Sequence, residues 1–148
     1  MNNKIAWTLF TILLITFSCS DKYESETLVF NKYLVDTFGV EIPDSKHTYL
    51  VESTFQCIGC VVKTYYAMLD HVNQDTPNSF TIITFDSNQV PNELKNRITV
   101  LEDKTAKYES LEITFANITI VQTKTNRIKS INSIQLPEID STIQKLFQ

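Results

Sequence analysis

Apolar residues recur every three to four positions over residues 24–38, which is the spacing of a helix with one buried face. The side chains expected on that face are Phe30, Leu34 and Phe38, with Tyr33 and Val35 beside them. Acidic residues at the start of the segment suit the positive end of a helix, and Gly39 is a natural stop. The pattern predicts an amphipathic helix that ends at Phe38.

A second stretch with helical spacing covers residues 60–72 and follows a short strand predicted at 48–53. Its expected buried stripe consists of Val61, Tyr65, Met68 and Val72, joined by Ile58, Val62 and Leu69. Cys57 is therefore expected at or just before the N-terminus of this helix, and Cys60 in its first turn. Gly59 lies between them, where we expect it to allow a tight turn.

The rest of the chain alternates between strand and helix patterns. Strands are predicted at 80–85, 99–101, 118–121 and 127–134, with a hairpin turn at 124–127 and helices at 90–98 and from Pro137 onwards. Apolar residues in 127–134 recur every three positions, so we expect that strand to bend. The order of elements predicts an α/β fold, with a mixed sheet, flanking helices, and a C-terminal β-hairpin plus helix.

The N-terminal segment has the features of a signal peptide. Lys4 precedes an uncharged stretch at 5–17 that is shorter than the roughly 20 residues a membrane-spanning helix needs. The stretch ends in Ser18 and Cys19, which resembles the lipobox of bacterial lipoproteins, where the chain is cut before a cysteine that then carries the lipid. Thr16 departs from the strict form of that box, as does the residue after it.

This resemblance implies a signal peptide at 1–18, a lipidated tether at 19–25 and a single domain at 26–148. The domain would be anchored in the bacterial cell envelope, on the periplasmic side or at the cell surface. An ordinary signal peptide and an uncleaved anchor are the alternatives.

Charge and length narrow the range of functions. The net charge is −4, and it becomes −5 once the signal segment with its single Lys4 is removed. A mildly acidic chain without a cluster of Lys and Arg does not suit nucleic acid as a partner. The length suits one domain with one core.

If Cys19 is acylated, only Cys57 and Cys60 remain as thiols. As a structural crosslink, a loop this short stabilises by about 2 kcal/mol, against about 3 kcal/mol for a loop of fifteen residues. Short spacing is better suited to reversible redox chemistry or to metal capture, because both need two sulfurs at one point. We therefore interpret the pair as functional. At the positive end of a helix, Cys57 should have a lowered pKa, and Cys60 could attack a mixed disulfide.

The strand, the Cys-x-x-Cys motif, the helix, the next strand and the closing hairpin plus helix resemble the thioredoxin-like superfamily. The resemblance covers roughly residues 48–147. It implies membrane-tethered thiol–disulfide exchange with a thiol- or disulfide-containing protein partner and without a cofactor. In those terms Cys57 would be the attacking cysteine and Cys60 the resolving one, in a candidate thiol–disulfide oxidoreductase.

Three features depart from that superfamily. Its proline before the first hairpin strand is missing, since the matching residues include Ala116 and Asn117. Its tryptophan before the first cysteine is replaced by Gln56. Its buried acid has only Glu52 as a counterpart, one residue out of register.

The same motif also resembles the loop of heavy-metal-associated domains, which capture Cu(I) with two thiolates. Those domains are about half as long as this chain and lack the closing hairpin and helix. Cu(I) capture by the two cysteines is therefore the alternative hypothesis. A tetrahedral zinc site would need two more ligands, and His47 and His71 show no ligand spacing. His71 is expected at the surface.

The lipidation hypothesis rests on Ser18 and Cys19 at the end of the apolar stretch. The substitution Cys19→Ala should abolish acylation and alter processing, because it removes the sulfur that would carry the lipid. Labelling cells with radioactive fatty acid measures this directly, and label that still enters the variant would contradict the hypothesis.

Overall fold

The computed structural model describes residues 22–54, 57–72, 79–111, 113 and 116–147. Its strands are β1 His47–Glu52, β2 Phe80–Thr84, β3 Thr99–Glu102, β4 Ile118–Lys124 and β5 Arg127–Ser133. Its α-helices are α1 Glu24–Phe38, α2 Ile58–Leu69, α3 Asn92–Lys95 and α4 Ile139–Leu146. Short 3-10 helices cover Ser87–Gln89, Lys107–Ser110 and Leu136–Glu138.

The strands form one mixed sheet in the order β3-β2-β1-β4-β5. β1 pairs in parallel with β2, and β2 with β3, whereas β4 is antiparallel to β1 and to β5. The predicted α/β class, with a mixed sheet and flanking helices, is therefore confirmed. Because carboxyl ends of parallel strands meet at one edge of a sheet, Glu52, Thr84 and Glu102 end at the same edge. Cys57 follows at that edge.

The core has two parts, one on each face of the sheet, because successive strand residues point to opposite faces. On one face, Leu50, Ile82 and Ile120 pack with residues of α2 and α4, including Val61, Tyr65, Met68 and Ile143. On the other face, Tyr49, Val51 and Ile83 pack with Phe30, Tyr33 and Leu34 of α1. The sheet thus separates α1 from the helix that begins at the cysteines.

Helix α1 has the predicted bounds, and Gly39 ends it with a left-handed φ of 69°. One detail differs from the prediction. Val35 is 41% exposed, whereas Tyr33 is buried, so the inward face is turned slightly from the expected one. The first residues of the helix, from Glu24, fall within the segment 19–25 assigned to the tether.

Helix α2 begins as predicted but ends at Leu69, three residues early. Ile58 and Val62, placed in its buried stripe by spacing alone, are exposed, and that part of the prediction is wrong. Helix α3 has four residues instead of the nine expected over 90–98, with Pro91 immediately before it. The final helix follows Pro137 as predicted and buries Ile139 and Ile143.

The hairpin between β4 and β5 turns through Thr125 and Asn126, since Lys124 pairs with Arg127. Asn126 adopts the positive φ expected for it, at 58°, and Thr125 adopts 57°. A β-branched residue is unusual in that region. The Thr125 N–H donates to the carbonyl of Asp44 at 2.8 Å, which stabilises the turn against the loop before β1.

A β-bulge explains why the apolar residues of β5 recur every three positions. Ile128 pairs with Thr123 and Ser130 with Gln122, so Lys129 is an extra residue in β5. The extra residue puts Ile128 and Ile131 on the same face, against the α1 core, although an odd number of steps separates them. Ile134 then lies in the core on the other face. The expected bend is this bulge.

Buried Asp103 joins α1 to the segment after β3. One carboxylate oxygen accepts hydrogen bonds from the Tyr33 hydroxyl at 3.1 Å and from the Lys107 N–H at 2.7 Å. The other accepts from the N–H and hydroxyl of Thr105, at 3.0 and 2.6 Å. This carboxylate therefore shapes the turn at 103–107 and attaches it to α1.

The substitution Asp103→Ala should lower the free energy of unfolding by about 3 kcal/mol, since it removes these bonds and leaves the Tyr33 hydroxyl buried. The matched control is Asp36→Ala, whose exposed ion pair with Lys32 should contribute less than about 0.5 kcal/mol. Denaturant titration measures both. Equal losses in the two variants would contradict the role given to Asp103.

Candidate functional site

The cysteine pair lies at the start of α2, at the carboxyl edge of the parallel strands. Cys57 has an extended backbone (φ −72°, ψ 112°) and directly precedes the helix. Its carbonyl accepts the first hydrogen bonds of the helix, from the N–H groups of Cys60 at 2.8 Å and Val61 at 3.2 Å. Both positions are those predicted, with Cys57 before the helix and Cys60 in its first turn.

The two thiols differ in exposure and in pKa. Cys57 is exposed, Cys60 is partly buried, and neither forms a disulfide. A hydrogen bond from the Cys60 thiol to the Cys57 sulfur lowers the pKa of Cys57, and the N–H groups of Cys60 and Gly59 lower it further. The same thiol-to-thiol bond raises the pKa of Cys60, and burial adds to the rise. At neutral pH a larger fraction of Cys57 than of Cys60 is therefore present as the thiolate, which is the form that attacks a disulfide.

Gly59 does not make the tight turn expected of it. It lies within α2, and Gly39 is the glycine with positive φ. A Cβ atom at Gly59 would lie 3.8 Å from the Cys57 sulfur, an ordinary van der Waals contact. The backbone would thus accept alanine here, and the glycine leaves that side of the sulfur open.

A buried carboxylate lies beneath the first turns of α2. Glu52 is the last residue of β1, is 1% exposed, and points to the same face as Leu50, towards α2. Burial raises the pKa of the Tyr65 hydroxyl, and the charge of Glu52 raises it further. Glu52 also contributes to the raised pKa of Tyr108, after burial and the nearer acids. The sequence identified Glu52 as the counterpart of a buried acid but not its tyrosine neighbours.

The segment before β4 borders the site from the other side. The Ser53 N–H donates to the Asn117 carbonyl at 3.1 Å, so this segment lies next to the chain that leads to Cys57. The Ala116 N–H donates to the Thr119 hydroxyl at 2.9 Å. All peptide bonds of the described residues are trans. Where the thioredoxin-like pattern has proline, this chain therefore has Ala116 and Asn117 with trans peptide bonds.

Some of the remaining residues singled out in the sequence are among the described residues, and others are not. Cys19, the segment 1–18 and Gln56 lie outside the described residues. His47 is buried, with its Nε2 2.9 Å from the Thr81 hydroxyl. His71 is partly buried rather than fully at the surface, and its ring stacks on Phe147 at 6.0 Å between centroids. Neither histidine belongs to the cysteine site.

The described residues contain neither a cluster of metal ligands nor a membrane-spanning helix. No three or more His, Cys, Asp or Glu residues in this part of the chain are grouped so that they could hold a metal ion. No helix within the same residues combines the length and apolar character needed to cross a membrane.

The pKa difference between the cysteines predicts two separate alkylation profiles. As pH rises, Cys57 should react first and Cys60 only at higher pH, because the pKa of Cys57 is lowered and that of Cys60 raised. Rates of iodoacetamide modification, followed by peptide mass spectrometry, measure both profiles. Cys60 reacting faster than Cys57 at neutral pH would reverse the assigned roles.

A matched pair of variants tests whether the Cys60 side chain causes the lowered pKa of Cys57. In Cys60→Ala the donor to the Cys57 sulfur is lost, so the Cys57 profile should move to higher pH. In Cys60→Ser a hydroxyl donor remains, so the movement should be smaller. A Cys57 profile that is the same in both variants as in the unmodified chain would show that the side chain at position 60 does not control Cys57.

Comparison with protein-family models, with curated proteins and with solved structures found no match to this chain. The function has to be inferred from the chemistry of Cys57 and Cys60 and from the elements that hold them.

Proposed function

We propose that this chain is a thiol–disulfide exchange protein of the thioredoxin-like type, held in the cell envelope by a lipid on Cys19. The observation that carries the proposal is the state of the two thiols. Cys57 is exposed, precedes a helix N-terminus and has a lowered pKa, while Cys60 hydrogen-bonds to its sulfur. A structural disulfide would need none of these features.

The exchange has two balanced steps. The Cys57 thiolate attacks a partner disulfide, forming a mixed disulfide and releasing one partner thiolate, which takes up a proton. Cys60 then loses its proton and attacks the Cys57 sulfur, which closes the Cys57–Cys60 disulfide and releases the second partner thiol. The partner disulfide gains two electrons and the cysteine pair loses two. The reverse sequence oxidises a dithiol partner.

The architecture around the site supports this type of domain. β1 leads into the cysteines, α2 follows them, and β2 returns in parallel beside β1. The β4–β5 hairpin and α4 then close the fold, in the order that the thioredoxin-like resemblance implies. Heavy-metal-associated domains lack these last three elements, so the metal-binding alternative does not explain their presence.

Equilibration of the purified full-length chain with glutathione buffers of graded potential tests the proposal. Alkylation of free thiols followed by mass measurement should show one reversible transition in which two thiols of the same molecule disappear together. In Cys60→Ser the second step is blocked, so a mixed disulfide between glutathione and Cys57 should accumulate. In Cys57→Ser that adduct should be much weaker.

A Cu(I) titration of the reduced chain distinguishes thiol–disulfide exchange from metal binding. The titration is needed because two soft thiolates also suit Cu(I). A Cys57–Cys60 disulfide that never forms, together with tight stoichiometric Cu(I) binding, would assign the pair to a metal carrier.

A further inference from the structure

Three large side chains lie exposed along the outer surface of α2, starting beside Cys57. Ile58 is 70% exposed, Val62 is 43% exposed and Tyr66 is 63% exposed. They are spaced four residues apart, so they form one stripe along the helix. The side chains that α2 needs for the core, including Val61 and Tyr65, lie on the neighbouring arc of the helix. The stripe therefore lies outside the buried core of the described residues.

Helix α4 leaves this stripe uncovered. It packs beside α2, and Lys63 marks the side that faces it, since its ammonium lies 3.0 Å from the Asp140 carboxylate. A helix turns by about 100° per residue, so the three stripe residues occupy an arc of about 80° between the sheet-facing side and Lys63. At its Cys57 end that arc faces away from both the sheet and α4, whereas Leu69, near the other end of the same arc, packs partly against the core.

The direction of α1 shows which end of the domain the tether would reach. Near its start, the Thr27 hydroxyl accepts from the N–H of Ile128, which pairs with Thr123 opposite His47 at the amino end of β1. Further along, the Tyr33 hydroxyl donates to Asp103, which follows β3 at the carboxyl edge. The helix therefore starts at the end of the sheet opposite Cys57. A lipid on Cys19 would attach at that end, so Cys57 and the start of the stripe would lie at the end away from the membrane.

We propose that the stripe Ile58, Val62 and Tyr66 is a docking surface for the partner protein, and that it selects cysteines with apolar neighbours. This inference rests on the proposed thiol–disulfide exchange. A mixed disulfide brings the partner's Cα within about 4.4–6.8 Å of the Cα of Cys57. Ile58 is the next residue, so any partner bound to Cys57 must lie against the start of the stripe.

The length of the stripe determines how far from its cysteine a partner's side chains can contact the stripe. Eight residues of helix separate Ile58 from Tyr66, which is about 12 Å. An extended partner segment advances about 3.3 Å per residue, so it passes the whole stripe in about four residues. The selected side chains are therefore within about four residues of the partner's cysteine.

The test uses the full-length Cys60→Ser chain, which holds a partner on Cys57 as a mixed disulfide. The chain is first loaded with glutathione and then equilibrated with peptides that each contain one cysteine, so that each exchange releases one glutathione thiol. One peptide has leucines two and four residues from its cysteine. The other has the same composition, with the leucines eight or more residues away.

The first peptide should displace glutathione about tenfold more favourably than the second, the ratio that corresponds to covering one aliphatic side chain. Val62→Glu should remove most of that preference, because it places a charge in the middle of the stripe. Leu28→Glu is the matched control: Leu28 is 69% exposed, but on α1, and the preference should remain. Circular dichroism checks that both variants fold.

Equal displacement by the two peptides, while glutathione still loads onto Cys57, would overturn the docking surface and leave thiol–disulfide exchange standing. Failure of every thiol to load onto Cys57 would contradict both the docking surface and the proposed thiol–disulfide exchange. Two further results would also overturn the partner assignment. One is binding of the unmodified chain to neutral phospholipid vesicles that is lost in Val62→Glu. The other is a dimer in sedimentation that the same substitution abolishes.

Discussion

The site depends on the burial of β1 at the centre of the sheet. All six of its residues are buried, and it pairs with β2 on one side and with β4 on the other. A central strand held on both edges and both faces cannot shift its register without exposing apolar side chains. Its last residue, Glu52, is therefore fixed, and Cys57 emerges a few residues later at a defined edge. The exposed thiol of Cys57 is thus positioned by a strand whose six residues are all buried.

The stabilisation of the Cys57 thiolate is local. Its hydrogen-bond donors are the thiol of Cys60 and the N–H groups of Cys60 and Gly59, all within the next three residues. The nearest described strand end carries a buried carboxylate, and among the described residues it is hydrogen bonds that lower the pKa of Cys57. Hydrogen bonds of this kind do not weaken with ionic strength as a surface ion pair does. The reactivity of Cys57 therefore depends on the first turn of α2 remaining intact.

Sequence periodicity predicted the elements well where local rules decide them. The bounds of α1, the position of Cys57 before a helix and the positive φ of Asn126 follow from spacing, a glycine stop and turn chemistry. Ile58 and Val62 were misplaced because apolar spacing identifies one side of a helix without saying how wide its buried arc is. That width depends on α4 and the sheet, whose contacts with α2 join residues far apart in sequence.

Other features could be anticipated only in part for the same reason. The three-residue period of β5 signalled an irregularity, but Lys129 could be identified as the extra residue only from its pairing with β4. The charge of Glu52, at the end of a strand, raises the pKa of Tyr65 on a helix and of Tyr108 in a 3-10 segment. Nothing in the local spacing of these three residues links them.

The strand order also has a consequence for folding. β1 and β2 can pair early through α2, but β1 needs β4, which lies far along the chain, to complete its second edge. Pairing between distant segments is slow, so the cysteines spend time in a chain whose sheet is unfinished. An incorrect disulfide is the usual hazard in that interval. Cys19 is the other cysteine of the chain, so once a lipid occupied its sulfur the two thiols after β1 would have no wrong partner within the chain during slow folding.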